Sequence, residues 1–284
     1  MTVAHNPAMP DFPSPRSSPG GAFLVADVGN SRIKLAAVAD LGDGARVLPT
    51  IHRRQDLSSR DLRPDTLRQW LAGAAPGAAV MLVASVHDAA ATRLEAAIAE
   101  VSATQHRPIR QRRVNHADLA IEVRLAEPRA VGIDRVAAAA AARIVKGPGR
   151  PAIVVDCGTA ATVDLVSAAG EFLGGAILPG PALMTRALAE GTSRLPEVAA
   201  LEQGTVPPMP GRSTQEAIAA GIGWGMRGAI ARLVEEARRG LGAEVEPEII
   251  LTGGWRTAVR DALPGAREMP DLVLTGIALA ARRG

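Results

Sequence analysis

The sequence predicts an α/β protein assembled from two copies of one unit. Three observations carry this. The stretch Ala152-Ile-Val-Val-Asp-Cys-Gly-Thr-Ala-Ala-Thr-Val-Asp-Leu-Val166 reads as strand, tight turn, strand, because β-branched apolar runs flank Gly158 and Thr159. Phe23 to Val38 reads the same way around Gly29. Asp27 and Gly29 recur as Asp156 and Gly158 at one common offset, close to half the chain. One such unit is an ordinary hairpin. Two at half-chain spacing point to a duplicated domain whose turns face each other across a cleft. Each turn suits a phosphate, because glycine lets the backbone approach an anion and small residues leave N–H groups uncovered.

Taken in order, residues 1–21 are rich in Pro, Ser and Gly and lack the apolar core of a secretory signal, so they read as a disordered extension. In the first hairpin, Asn30 and Ser31 are the small polar residues a turn favours. Lys34 on the returning strand is either a phosphate contact or a strand-edge charge. Leu57 to Gly73 reads as a helix, with Leu62, Leu67, Trp70 and Leu71 on one face. Ala79–Val86 is a buried strand, and Ala89–Ser102 a helix with Leu94, Ala97 and Ile98 on one side. Arg107, Arg110, Arg112 and Arg113 form the densest basic cluster. No aromatic side chain interleaves it for base stacking, so it reads as a solvated connection.

Asp134 opens an alanine-rich helix that ends near Lys146-Gly147. An Asp there caps free N–H groups and suits the helix dipole. Alternatively, held rigidly after the permissive Gly132, it accepts the proton of a substrate alcohol during phosphoryl transfer. Arg135 beside it suits a bidentate clamp on a carboxylate. After the second hairpin, Gly174–Gly180 ends a strand. A helix follows through Leu183, Ala187 and Leu188 and closes at Gly191. Thr192-Ser-Arg-Leu-Pro196 suits a polar ligand or a loop contact. Residues 201–212 form a Pro-rich loop, and Ser213 with Glu216 makes a capping-box pattern. It opens a long helix through Ile218, Ile222, Met226, Ile230 and Leu233, which Gly221, Gly223, Gly225 and Gly228 make smooth for packing within the domain or between subunits. Glu248–Leu251 is a strand ending in Thr252-Gly253-Gly254, where a flat ligand approaches the backbone or the chain simply turns. Val273–Arg282 closes the chain as a helix.

With 284 residues, 47 % of them hydrophobic, the chain holds two domains of ordinary size with real cores. The expected units are 1–21, 22–129 and 130–284. No apolar run reaches membrane-spanning length. Cys157 is the single cysteine, which rules out an intrachain disulfide and fits a cytoplasmic setting; inside a strand it reads as a buried inert thiol. His52, His87, His106 and His116 are scattered without metal-ligand spacing. The pI of 9.9 overstates the basic character. Net charge is only +3, Tyr is absent and Lys occurs only at 34 and 146, so almost nothing titrates between neutral pH and the arginine range. A nucleic-acid partner is not expected.

These motifs together resemble the type III pantothenate kinases of bacteria, members of the actin, sugar-kinase and heat-shock ATPase superfamily. The likeness runs from about Ala22 to the C-terminus. It rests on Asp27-Val-Gly-Asn-Ser31, Gly132-Ile-Asp-Arg135, Asp156-Cys-Gly-Thr-Ala160 with Thr162-Val-Asp164, Gly174-Gly-Ala-Ile-Leu-Pro-Gly180, Gly191-Thr-Ser-Arg-Leu-Pro196 and Thr252-Gly-Gly254. Each motif is modest alone; all six in the family's order are specific.

The resemblance implies two ribonuclease-H-like (actin-like ATPase) domains flanking a nucleotide cleft, and ATP-dependent phosphorylation of pantothenate, the first step toward coenzyme A. It implies that Asp27, Val28, Gly29, Asn30, Ser31, Arg32, Ile33 and Lys34 form the first phosphate loop, with Asp27 near Mg²⁺ through water. It assigns Asp156 to a monovalent cation, K⁺ or NH₄⁺, Thr159 to ATP, and Thr252, Gly253 and Gly254 to the adenosine. Asp134 is the implied proton acceptor. Gly132, Ile133, Asp134, Arg135 and Thr192 are the implied pantothenate contacts. A homodimer with substrate sites near the subunit interface is implied too. One departure stands out: many members carry a tyrosine shortly before the Gly-x-Asp-Arg motif that contacts pantothenate. This chain has no tyrosine, and Leu125 stands at that place. The alternatives are a nucleotide-binding regulatory protein of the same family without kinase activity, which Leu125 favours and Asp134 and Arg135 oppose, and a sugar or acetate kinase of the superfamily.

Overall fold

The computed structural model describes residues 23–283 except 43, 45, 75–77, 105–107, 200–206 and 243. The expected N-terminal extension, His106, Arg107 and part of the 201–212 loop lie outside the described residues. Each half opens with an antiparallel meander. In the first, β1 (Phe23–Val28), β2 (Arg32–Asp40) and β3 (Thr50–Ser58) are followed by α1 (Pro64–Ala74), β4 (Val80–Ser85), α2 (Asp88–Thr104) and β5 (Arg110–Arg113). A linking helix, α3 (Ile133–Val145), leads to β6 (Ala152–Cys157), β7 (Ala160–Val166) and β8 (Phe172–Pro179). Then come α4 (Pro181–Gly191), α5 (Thr214–Leu241), β9 (Glu248–Gly253), β10 (Arg267–Glu268) and α6 (Leu272–Leu279).

The two five-stranded sheets have one topology. The first runs β3-β2-β1-β4-β5 and the second β8-β7-β6-β9-β10. In each, the first hairpin is antiparallel and the later strands join parallel to the central strand. Both central strands are apolar because both of their faces are covered. The outer faces carry α1 and α2 on the first sheet and α5 on the second. Between the sheets lie α3 and α6, which share one core with Val25, Leu82, Val154, Phe172 and Ile250. That position explains the alanine run of α3. Ala137 to Ala142 are all buried, and α6 approaches so closely that a Cβ on Gly276 would stand 1.9 Å from the Ala137 carbonyl oxygen. Among the described residues no helix is long and apolar enough to cross a membrane.

Three expectations need correction. Leu57 belongs to β3, and the helix expected from Leu57 begins only at Pro64. The strand was hidden because His52, Arg53, Arg54, Gln55 and Asp56 lack alternation, as suits an edge strand kept charged against unwanted pairing. Arg110–Arg113 is likewise an edge strand rather than a solvated connection. Two of its three arginines are paired, Arg112 with Asp118 at 2.9 Å and Arg113 with Glu95 at 2.6 Å. The capping box at α5 is half formed: Ser213 Oγ accepts from the Glu216 N–H, but the Glu216 carboxylate accepts from the Arg212 N–H instead.

Candidate active site

The two hairpin turns meet. Thr159 Oγ1 donates to Ser31 Oγ at 3.0 Å, which brings the Gly29-Asn30-Ser31 turn against the Gly158-Thr159 turn. Behind the turns the strand registers decide the charges. Asp27 stands opposite Lys34. Paired residues share a face, so Lys34 Nζ reaches Asp27 Oδ2 at 3.2 Å. Asp27 is 5 % exposed. Its charge is the main reason the Lys34 ammonium is held above its ordinary range, against the pull of burial. In the second hairpin Asp156 stands opposite Thr162, which brings no charge. Asp156 Oδ1 is buried without a hydrogen-bond partner. Burial pushes its carboxyl up to about 6; Lys34 opposes the rise, while Asp27 and Asp134 add to it.

Asp134 completes the cluster from the start of α3. Gly132 is the residue flanking the helix start, and a Cβ there would lie 2.5 Å from Asp134 Oδ1. Glycine is therefore what lets this carboxylate fold back. Oδ1 accepts the Arg135 N–H at 2.8 Å, so the carboxylate does satisfy one first-turn donor. Burial raises the Asp134 pKa first, and the Asp27 charge raises it further; the Arg135 N–H, Lys34 and the Arg135 guanidinium oppose. A carboxylate so placed is a stronger base than a free one.

Arg135 is oriented rather than loose. Its Nε donates to Asp164 Oδ1 and Oδ2 at 3.1 and 3.2 Å, and Nη2 also donates to Oδ1. The guanidinium lies over the Phe172 ring at 5.6 Å. Burial raises the Asp164 pKa against the opposing Arg135. Leu125 is near this group: Arg124 N–H donates to Phe172 O, and Leu125 Cδ2 lies 3.2 Å from where a Gly174 Cβ would be.

The remaining expected residues divide. Val28 and Ile33 are fully buried, so only their backbone can serve a ligand. Arg32 reaches outward toward Asp56 at 3.7 Å. Thr252 and Gly253 pair with Asp156 and Cys157 across the parallel β6–β9 ladder, which sets the end of β9 beside the second turn. The Thr252 hydroxyl itself is turned to Pro270 O. Gly253, at φ +91°, has no room for a Cβ against the Cys157 backbone; Gly254 is exposed. Thr192 is tied locally, donating to Leu188 O and accepting from the Leu195 N–H. Cys157 is buried and its thiol is raised by burial, as suits an inert core residue.

Four residues hold the two turns from outside, and three of them, Ser59, Arg93 and Trp255, carried no recognised signal. Ser59 Oγ donates to Gly29 O at 2.7 Å and its N–H to Ser31 O, bracing the first turn. Arg93 donates in turn to Ser59 O. Gly180 N–H donates to Thr159 O, and Trp255 Nε1 donates to Gly158 O at 2.7 Å. Trp255 follows the Thr-Gly-Gly motif directly, a signal that adjacency alone could have raised.

Among the described residues no three His, Cys, Asp or Glu side chains stand close enough to hold a metal ion by themselves. The chemistry present still fits the implied ions. A hard Mg²⁺ travelling with phosphates needs only one or two carboxylates, and the partnerless Asp156 oxygen fits a cation.

Over most of its length the chain is similar to proteins of one family. The family model described as type III pantothenate kinase matches residues 23–236. A type III pantothenate kinase of Alkalilimnicola ehrlichii is 38 % identical over 92 % of this chain and 98 % of its own. That of Rhodopirellula baltica is 42 % identical over 58 % of this chain and 59 % of its own. A Campylobacter jejuni crystal structure named for the Baf family of transcriptional activators superposes with a TM-score of 0.55 over 92 % of this chain and 98 % of its own. At 19 % identity that likeness speaks for the fold. Doubled sheets, facing turns and a match over most of the length converge on one conclusion: the chain belongs to the type III pantothenate kinase family.

Proposed function

We propose that this chain transfers the γ-phosphoryl group of ATP to the hydroxyl of pantothenate, giving 4'-phosphopantothenate. The observation that carries the reading is the meeting of the two turns at Ser31 and Thr159, in front of Asp27, Lys34 and Asp156, with Asp134 entering from α3. The turns offer backbone N–H groups and hydroxyls to the phosphates. Lys34 holds positive charge beside them, paired with Asp27. Asp134 accepts the alcohol proton, and its raised pKa suits that task. Phosphoryl transfer is mostly positioning and charge stabilisation, so the rigid start of α3 matters as much as basicity.

Finer assignments follow the same reading. Asp27 would hold the Mg²⁺ that accompanies ATP, and that ion would supply charge neutralisation at the phosphates. A monovalent cation, K⁺ or NH₄⁺, belongs at Asp156 Oδ1. Thr252 to Gly254 flank the adenosine. Gly132 to Arg135, Leu125 and Thr192 surround pantothenate, with the Asp164-braced Arg135 facing its carboxylate. The domain division 22–129 and 130–284 follows the repeated sheets. A homodimer is supported by the exposed face of α5, where Gly221, Trp224, Gly225 and Gly228 lie bare. The reaction belongs in the cytoplasm.

ATP turnover by purified protein, with and without pantothenate, tests the reading and separates it from a non-catalytic nucleotide binder. Asp134→Asn should lower kcat by roughly 10²–10⁴ while circular dichroism and thermal unfolding stay near wild type. Pantothenate-independent turnover, or near-normal turnover in the variant, would overturn it.

A further inference from the structure

We infer that Trp255 is a positioning residue for the second phosphate turn. The inference rests on the nucleotide reading of that turn given above. Within one peptide unit the C=O and N–H point in opposite directions. Holding the Gly158 carbonyl therefore fixes where the Thr159 N–H points. The Trp255 indole N–H holds that carbonyl at 2.7 Å. The Trp255 backbone N–H adds a second tie, to Cys157 O at 3.3 Å. On the far side of the turn, Gly180 N–H holds Thr159 O at 3.0 Å. With both carbonyls occupied, the two-residue turn is left with its Thr159 N–H turned away from the indole.

The first turn uses the same device. There the Ser59 hydroxyl takes the Gly29 carbonyl, which fixes the Asn30 N–H. The brace on the second turn differs in origin. It comes from the residue just after Thr252-Gly253-Gly254, two residues past the end of the strand that flanks Asp156 in parallel register. Gly253 makes this possible, since its backbone lies against Cys157 at a distance no Cβ allows. The strand end assigned to adenosine and the turn assigned to phosphate are thus joined through one indole.

The sequence has three tryptophans. Trp70 donates to Arg53 O and Trp224 to Pro207 O, both on other surfaces. Trp70→Phe with Trp224→Phe therefore leaves Trp255 as the sole indole reporter. Adding ADP or a non-hydrolysable ATP analogue to that protein should change the emission, whereas pantothenate alone should not. In the wild-type background, Trp255→Phe deletes the N–H and keeps the ring. KM for ATP should rise about tenfold, with KM for pantothenate within twofold and the melting temperature near wild type. Trp255→His, which restores a ring N–H, should recover part of the loss.

An unchanged KM for ATP in Trp255→Phe, or Trp255 emission indifferent to nucleotide that isothermal titration shows to bind, overturns the positioning role. Absence of any nucleotide binding or turnover in the wild type instead overturns the function on which it rests.

Discussion

The two hairpins place an aspartate at the same point of the same topology, yet the two carboxylates differ in kind. Asp27 faces Lys34 across its ladder and is paired at 3.2 Å. Asp156 faces Thr162 and keeps one buried oxygen without a partner. Duplication supplied two equal frames; a single cross-strand residue drew one carboxylate into an ion pair and left the other open for a cation. The buried pair is not evidence of stability in itself, because desolvation offsets most of its attraction. Its value lies in setting the field that the second aspartate and Asp134 experience.

Lys34→Met breaks the comparison most severely. It leaves Asp27 buried without its partner, which costs about 3 kcal/mol when one member of a buried pair is removed. It also removes the positive charge that opposes the rise of Asp156, so that carboxyl moves further above its present value near 6. Denaturant titration should show the loss, and kcat/KM for ATP should fall by roughly 10²–10³, the scale of losing one charge-stabilising donor. Activity within tenfold of wild type would mean that Lys34 is only a strand-edge charge.

Asp156→Asn sharpens the comparison from the other side. In the folded protein Asp156 keeps its proton up to pH about 6, while the unfolded chain releases it near pH 4. Between those values the folded state binds more protons, so without a cation stability falls as pH rises and then stays level above pH 6. Two pKa units correspond to about 3 kcal/mol, or about 2 after allowing for partial exposure. The Asn variant should therefore be more stable than wild type by that amount at pH 7.5 and equal to it below pH 4. K⁺ should raise the wild-type melting temperature at pH 7.5, less as pH falls through 6, and leave the variant unmoved. Equal melting of wild type in K⁺ and in tetramethylammonium would sink the cation assignment.

How much of this was legible follows from where each residue sits. The central strands announced themselves because burial on both faces demands apolar runs, and the turns because Gly29 and Gly158 each stand two residues after an Asp. Edge strands β3 and β5 were not legible: exposed residues carry no periodicity, and Arg110–Arg113 looks the same on paper as a charged loop. The alanine run of α3 gave a helix but not its reason, which lies in α6 pressing on it at Gly276. Asp134 was legible as a helix-start acid. That Arg135 would be held by Asp164 depends on a contact between a helix and a strand 29 residues apart in sequence, which local pattern does not encode. The braces were silent for the same reason: Ser59 is an ordinary serine until the fold sets it behind Gly29.

Ser59→Ala is the gentlest of the three changes and isolates the braces from the charges. It removes the hydroxyl that holds Gly29 O but keeps the Ser59 N–H bond to Ser31 O, because that donor is backbone. Position 59 is fully buried, so water does not replace the lost donor, and the unsatisfied carbonyl costs about 1–2 kcal/mol. The peptide carrying the Asn30 N–H then loses its fixed direction, so KM for ATP should rise several-fold while KM for pantothenate holds. The pH dependence described for Asp156 should not move, since Ser59 contacts the turn and not the carboxylates. If stability falls by that amount with KM for ATP unchanged, the brace serves folding only, and the two turns differ in purpose as well as in length.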